Sequence, residues 1–136
     1  LPILAEHIDL SNPKIFIQEY IKGTHYSVDA FVVRGKPIFI LFGEKTMSQD
    51  DPFHTEKVRY NNLSAQHEEL FAHLVNTCID CFSIQDEFLH LELCMSDSQL
   101  NIIDVTLRPP GSLSSSVIYP FISGYDLTHL FSMLLE

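Results

Sequence analysis

Residues 88 to 108 read FLHLELCMSDSQLNIIDVTLR, and this stretch decides the fold. Apolar residues occupy every second position on either side of a polar run at 96–99, which is the pattern of two half-buried strands. We predict strands over 88–95 and 100–107, joined as a hairpin. Antiparallel strands of this kind bury one face and leave the other for polar side chains, so an antiparallel sheet is indicated.

The polar face of this hairpin carries the residues most able to do chemistry. If the hairpin is centred near Ser98, Glu92 and Asp104 are direct cross-strand neighbours, and two facing carboxylates repel unless a cation lies between them. Mg²⁺ is the natural cation, and Arg108 on the same face could meet a phosphate oxygen. An ordinary solvated face is the alternative. The polar face comprises His90, Glu92, Cys94, Asp104, Thr106 and Arg108, and the apolar face Leu89, Leu91, Leu93, Ile103, Val105 and Leu107.

The rest of the chain supplies further strands and two helices. Strands are predicted over 15–20, 24–33 and 38–44, with a turn at 34–37 and an irregular segment at 47–62. A helix begins after the N-cap Ser64, and a second helix runs over 126–134. The apolar face of the first helix comprises Leu70, Phe71, Leu74, Val75, Cys78 and Ile79. The order β-β-β-α-β-β-α predicts an α+β fold with an antiparallel sheet and flanking helices, in a single domain over 1–136.

Composition limits the classes of function. The formal net charge of −10 repels phosphate backbones, so nucleic acid is not an expected partner. No apolar run is long enough to cross a bilayer and no signal-peptide pattern is present, so a membrane is not an expected partner either. Three cysteines are too few for a disulfide-stapled secreted fold, which favours the reducing cytoplasm.

Four segments, in order along the chain, resemble the ATP-grasp family. Residues 15–29 (IFIQEYIKGTHYSVD) are similar to the segment that grips adenine and ribose, and residues 88–92 (FLHLE) to the strand with the first metal-binding glutamate. Residues 103–111 (IDVTLRPPG) resemble the signature Glu-x-Asn-x-Arg-x-x-Gly, and residues 124–127 (GYDL) the start of the last helix.

The resemblance implies roles for individual residues. Metal ligands would be Glu92, Asp104 and Thr106, and Arg108 would face the reacting phosphate. The adenine hinge would comprise Gln18, Glu19, Tyr20 and Ile21, with His25 at the ribose. The implied cofactors are ATP and Mg²⁺, with Mn²⁺ as a substitute.

The resemblance also implies an activity. It predicts part of an ATP-dependent ligase that activates a small carboxylate substrate as an acyl phosphate, which an amine or another nucleophile then attacks. The chain would be the C-terminal part of the domain, and the missing N-terminal part would supply the glycine-rich loop and lysines for the phosphates. This fragment alone should therefore bind Mg-ATP weakly or not at all.

Two departures from the family pattern leave a second function open. Asp104 is one methylene shorter than the usual glutamate, and Thr106 offers a hydroxyl where an asparagine amide is usual. A non-catalytic module that binds nucleotide or a partner protein is the alternative; an unrelated α+β interaction domain is a third.

Several other residues are interpreted as structural. Cys78 and Cys81 form a Cys-x-x-Cys pair without further ligands, and we expect both in the core. His90 is interpreted as a structural histidine, with a supporting role at the metal as the alternative. Lys45 is interpreted as a solvated lysine, with an approach to phosphate or ribose as the alternative.

Overall fold

Five antiparallel strands form one sheet in the order β3-β2-β1-β4-β5. The computed structural model describes residues 19–51, 54–97, 99–111 and 114–133. The strands are β1 (Thr24–Val33), β2 (Lys36–Met47), β3 (Thr55–Tyr60), β4 (Glu87–Ser96) and β5 (Gln99–Thr106). The helices are α1 (Ala65–Phe82), α2 (Tyr119–Ser123) and α3 (Leu127–Met133), and a π-helical turn spans Ser114–Ile118. The predicted α+β class, with an antiparallel sheet and flanking helices, is confirmed.

Helix α1 covers one face of the sheet. Its start is set by Ser64, whose hydroxyl accepts a hydrogen bond from the backbone N–H of His67 at 3.3 Å. Its end is set by Ser83, which adopts a left-handed backbone conformation. The helix buries Phe71, Val75, Cys78 and Ile79, whereas Leu70 of the predicted apolar face is 40% exposed. The strands contribute Tyr26, Val28, Ala30, Val32, Leu89, Leu91 and Leu93 to this core.

The opposite face, which we call the cleft face, is covered by described residues at one end only. Phe31 of β1 and Phe88 of β4 lie there and pack against Leu130 of α3. Phe39, Tyr125 and the fully buried Tyr119 extend this cluster, which we call the aromatic cover. The aromatic cover closes the end of the cleft face where β1 ends and leaves the end where β1 begins open.

One strand escaped prediction. The segment 47–62 was expected to be irregular, but β3 forms at one edge of the sheet and pairs with β2. Its sequence alternates weakly, because Thr55, Val58 and Tyr60 are partly covered while Glu56, Lys57 and Arg59 are exposed. Charged side chains are typical of an edge strand, because they discourage pairing with strands of other molecules. They also replace the apolar alternation by which a buried strand is recognised in a sequence. The prediction was wrong for this reason.

The β4–β5 hairpin brings Glu92 opposite Asp104, as predicted. Its register differs from a hairpin centred on Ser98, because Ser96 already pairs with Gln99 and a β-bulge follows. The bulge leaves Ile103 without an opposite residue on β4 and restores the predicted pairing from Asp104 onwards. Ile103 is therefore exposed, at 44%, and Leu107, which lies beyond the end of β5, is 52% exposed, so both differ from their assignment to the apolar face.

The remaining predictions at the two ends of the chain have different outcomes. The last helix is confirmed as α3, and Asp126 caps it by accepting a hydrogen bond from the backbone N–H of His129 at 2.7 Å. The strand predicted over 15–20 lies outside the described residues except for Glu19 and Tyr20, which are irregular. Within the described part of the chain, no helix is both long and apolar enough to cross a membrane.

Candidate functional site

Polar side chains follow one another across the cleft face because strand pairing aligns them in rows. In the middle row Gly43, Ser27, Glu92 and Asp104 lie side by side on four adjacent strands. Towards the open end the next row is Lys45, His25 and Cys94. Towards the aromatic cover the next row is Leu41, Asp29, His90 and Thr106.

Glu92 is held by a cation on each side. The Nζ atom of Lys45 donates a hydrogen bond of 2.6 Å to Oε1 of Glu92, and Nε2 of His90 lies 3.6 Å from the same oxygen. The imidazole of His90 has the largest effect on the pKa of Glu92, burial opposes it and Lys45 adds to it, so the pKa falls to about 2. Glu92 is therefore an anion, and its side chain is still 40% exposed to the cleft.

Lys45 is not the solvated lysine that we expected. Only 12% of its side chain is exposed, because it lies on β2 with its ammonium group against Glu92. The sequence pattern Glu44-Lys45 at a predicted strand end gave no sign of this, since β2 continues to Met47 and keeps Lys45 within the sheet. A buried-stem lysine beside a carboxylate is a cation placed for anionic ligands.

His90 is buried and hydrogen-bonded, as expected of a structural histidine, and it also faces Glu92. Its Nδ1 atom is hydrogen-bonded to Oδ1 of Asp29, which is 1% exposed, and its Nε2 atom faces Glu92. Burial lowers the pKa of His90, but hydrogen bonding to Asp29 and Glu92 and the charges of both raise it to about 9. The cleft face thus carries alternating charges in the order Asp29, His90, Glu92 and Lys45.

The other two residues predicted as metal ligands lie on β5. Asp104 is exposed, and its Oδ1 atom accepts a hydrogen bond of 2.9 Å from the backbone N–H of Val105. The hydroxyl oxygen of Thr106 is buried without a hydrogen-bond partner among the described residues. Within those residues no group of three or more His, Cys, Asp or Glu side chains is arranged to hold a metal.

These residues nevertheless suit Mg²⁺ when a nucleotide accompanies it. Mg²⁺ takes one or two carboxylates and fills its other positions with phosphate oxygens and water, so a cage of three protein ligands is unnecessary. The facing pair Glu92 and Asp104 supplies two carboxylates, and the unpartnered oxygen of Thr106 lies two residues further along β5. All three are hard oxygen donors.

A cleft of about 630 Å³ opens beside Glu92 at the uncovered end of the cleft face. The predicted hinge segment forms part of its wall, together with Lys45 and the two isoleucines at the bulge. The lining comprises Glu19, Tyr20, Ile21, His25, Lys45, Met47, Thr55, Glu92, Ile102 and Ile103. Four of the five residues predicted to bind the nucleotide thus share one cleft, and the fifth, Gln18, lies outside the described residues.

The hinge segment is fixed to the sheet by two close approaches. The Cys94 thiol donates a hydrogen bond of 3.6 Å to the carbonyl of Ile21. A side chain at Gly23 would place its Cβ 2.2 Å from the carbonyl oxygen of Met95, so only glycine lets the chain pass there. The wall of the cleft is therefore positioned by β4, the strand that carries Glu92.

Arg108, like Asp104 and Thr106, is not part of the lining of the cleft. Strand β5 ends at Thr106, so the alternation that put Arg108 on the same face as Asp104 stops before it. Arg108 is exposed and donates a hydrogen bond of 3.1 Å to the carbonyl of Pro109. Its role towards a phosphate stays a prediction.

The prediction that both helical cysteines lie in the core is correct for one of them and wrong for the other. Cys78 is buried in the core as expected, whereas Cys81 is exposed, and both are free thiols. Asp29 and Tyr119 were not singled out at all. A single acidic residue within the apolar pattern of β1 was the available signal for Asp29, since a buried carboxylate requires a partner.

The arrangement agrees with comparisons to known proteins. A family model described as an ATP-grasp domain matches residues 5–116. No curated protein shows significant sequence similarity to the chain.

Solved structures of similar fold include two ligases and a synthetase. D-alanine–D-alanine ligase from Bacillus anthracis, complexed with ATP, is 18% identical with a TM-score of 0.63, over 85% of this chain and 38% of that one. L-amino acid ligase from Bacillus licheniformis is 20% identical with a TM-score of 0.64, over 81% and 28%. Phosphoribosylglycinamide synthetase from Anaerococcus prevotii is 15% identical with a TM-score of 0.60, over 74% and 26%.

The chain therefore aligns with less than two fifths of the length of each of these three proteins. The match of the family model extends over most of the chain, and the sheet and cleft agree with it. On this evidence the chain belongs to the ATP-grasp family.

Proposed function

We propose that this chain is the C-terminal part of the ATP-grasp domain of an ATP-dependent ligase, one that activates a carboxylate as an acyl phosphate. The observation that carries the proposal is the pairing of Glu92 with Asp104 beside the cleft that the hinge segment lines. The cleft offers an apolar wall, backbone groups and the carboxylate of Glu92, and Asp104 lies opposite Glu92 on the neighbouring strand. The D-alanine–D-alanine ligase of similar fold is described as complexed with ATP, which supports a nucleotide as the ligand.

Each part of the cleft has a proposed task. The backbone of Glu19, Tyr20 and Ile21 would hydrogen-bond the adenine edge, with Ile102 and Ile103 against the ring, and His25 would meet the ribose. Lys45 would bind a phosphate oxygen once Glu92 turns to the metal, because both Lys45 and Glu92 already face the cleft.

Glu92, Asp104 and Thr106 would hold Mg²⁺, which neutralises phosphate charge during phosphoryl transfer. Arg108 would stabilise the charge that develops on the transferred group. The carboxylate and the attacking amine would come from bound substrates, whose pockets other parts of the protein supply. The absence of a glycine-rich phosphate loop from the described residues agrees with a preceding N-terminal part that provides one. Three free thiols suit the cytoplasm as the compartment.

Nuclear magnetic resonance of the isotope-labelled chain tests the nucleotide site. Millimolar ATP with Mg²⁺ should shift the amide signals of Ile21, His25, Lys45 and Glu92, and Glu92→Gln should reduce the metal-dependent part of these shifts. Glu44→Gln is the matched control, because Glu44 lies on the opposite face and pairs with Arg59 at 3.8 Å. Shifts confined to the α1 face of the sheet, or none at all in the intact protein, would contradict the proposal.

A non-catalytic module remains the second candidate, and the ion pair of Lys45 with Glu92 favours it. A carboxylate that is already neutralised at 2.6 Å offers less attraction to a metal than a free one. This candidate predicts nucleotide-induced shifts that are the same with and without Mg²⁺. It also predicts no formation of ADP by the intact protein, whatever carboxylate is supplied.

A further inference from the structure

Behind Glu92, the cleft face contains a buried acid that the proposed reaction does not use. Asp29 is 1% exposed, and one of its oxygens, Oδ1, is engaged with Nδ1 of His90. Its other oxygen, Oδ2, is buried without a hydrogen-bond partner among the described residues. Isolated buried carboxylates are costly, so an arrangement of this kind requires a partner or a function.

The aromatic cover supplies the missing partner. Tyr119 begins α2 and is fully buried, and its hydroxyl also lacks a hydrogen-bond partner among the described residues. Burial raises the pKa of Tyr119, and the charge and hydrogen-bonding of Asp29 raise it further, so the hydroxyl and the carboxylate are neighbours. No hydrogen bond of good geometry joins them as the side chains stand.

The ring of Tyr119 packs against two other aromatic rings. It meets the ring of Phe39 of β2 edge-on at 6.3 Å and that of Tyr60 of β3 at 6.4 Å between centroids. The hydroxyl therefore cannot swing away from Asp29 without disturbing the aromatic cover. The carboxylate of Asp29 is therefore restricted by Tyr119 on one side and by His90 on the other.

We infer that Asp29, braced by Tyr119, orients His90 so that His90 holds the carboxylate of Glu92 in the position used for the metal. This inference rests on the proposed function, in which Glu92 is a metal ligand. Asp29, His90 and Tyr119 are positioning residues here, since none of them touches the metal or the substrate. An oriented ligand binds more tightly, because less side-chain freedom is lost when the metal arrives.

The inference also connects two distant parts of the chain. Tyr119 immediately follows the π-helical turn Ser114–Ile118. A contact from Tyr119 to Asp29 therefore couples the position of that turn to the carboxylate of Glu92. Displacement of α2 would release Asp29, and through His90 it would loosen Glu92.

Two readouts on the full chain test the inference. Three-bond couplings report whether the side chain of Glu92 holds one rotamer, and water-proton relaxation reports the affinity for Mn²⁺ in the presence of ATP. Asp29→Asn should average the Glu92 couplings and weaken Mn²⁺ binding by about 10- to 100-fold, the range for residues that support a ligand. Tyr119→Phe should act in the same direction by about three- to tenfold, as the loss of one hydrogen bond predicts.

Tyr125→Phe is the matched control, because it removes a hydroxyl from the same aromatic cover, where Tyr125 stacks on Phe39 at 6.0 Å. It should change neither readout. Binding of adenosine at the hinge segment should stay unchanged in all three variants. If Asp29→Asn does not fold, Tyr119→Phe alone decides the outcome.

The inference and the proposed function fail in different ways. Absence of Mn²⁺ binding in the intact protein would overturn the proposed function, and the Glu92 couplings of this chain would still report on its positioning. Normal Mn²⁺ binding with unchanged Glu92 couplings and affinity in folded Tyr119→Phe and Asp29→Asn would overturn the inference alone.

Discussion

Glu92 and Asp104 face each other across two adjacent strands, and the β-bulge at Ile103 puts them there. The hairpin turn pairs Ser96 with Gln99, so a regular ladder would set Glu92 opposite Ile103 and turn Asp104 to the other face. The one unpaired residue on β5 restores the register. It also leaves Ile103 exposed beside Ile102, where both line the cleft.

Gly43 lies in the middle row of the cleft face, where there is no space for a larger side chain. A Cβ at this position would lie 2.6 Å from the Ser27 hydroxyl and 2.7 Å from a methyl carbon of Val58. We therefore expect Gly43→Ala to lower the free energy of unfolding by about 1–3 kcal/mol, as overpacking does. Urea denaturation measures this. Gly111→Ala is the control, because no atom lies within 4 Å of a Cβ there, and equal losses in both variants would refute the steric account.

Stability should depend on pH through His90 and Glu92. The pKa of His90 rises from 6.5 to about 9 in the folded chain, so its contribution is complete below pH 6.5 and is lost as the pH approaches 9. The pKa of Glu92 falls from 4.5 to about 2, so its contribution is complete above pH 4.5 and is lost towards pH 2. Together, these two groups should contribute most to the free energy of unfolding between pH 4.5 and 6.5.

The variant His90→Gln isolates this effect. Urea midpoints measured from pH 5 to 9.5 should fall less steeply on the alkaline side in the variant than in the unaltered chain. Groups that titrate in both proteins contribute equally to the two curves, so their effect cancels in the comparison. Parallel curves would mean that His90 does not bind its proton more tightly in the folded state.

The sequence predicted the hairpin, the first helix with its Ser64 cap and the pairing of Glu92 with Asp104. These depend on local periodicity and capping, which the chain displays directly. The pairing held only because a bulge compensated for a turn one residue shorter than assumed. The partners of Glu92 and His90 could not be predicted in full, since Lys45 lies 47 residues from Glu92 and Asp29 lies 61 residues from His90, and they meet only through the strand order.

Arg108 and Glu92 have separable roles in the proposed reaction of the intact enzyme. Arg108→Ala should lower kcat while the KM for ATP changes little, because its guanidinium would act on charge that develops only during phosphoryl transfer. Glu92→Gln should lower kcat and also raise the Mg²⁺ concentration needed for half-maximal rate, since it removes a charged ligand. Initial rates of ADP release over an Mg²⁺ titration distinguish them. Small and equal effects in both variants would favour the non-catalytic module.

The account depends most on a metal–nucleotide complex binding at the Glu92–Asp104 pair, and paramagnetic broadening by Mn²⁺ with ATP locates that metal directly. In the labelled chain at millimolar ATP, low Mn²⁺ should broaden the signals of Glu92, Asp104 and Thr106 first, and those of Ile21 and His25 less. Glu92→Gln should abolish this order, whereas Glu44→Gln should preserve it. Broadening centred away from the Glu92–Asp104 pair, or no nucleotide-dependent broadening of these three residues in the intact protein, would contradict the account.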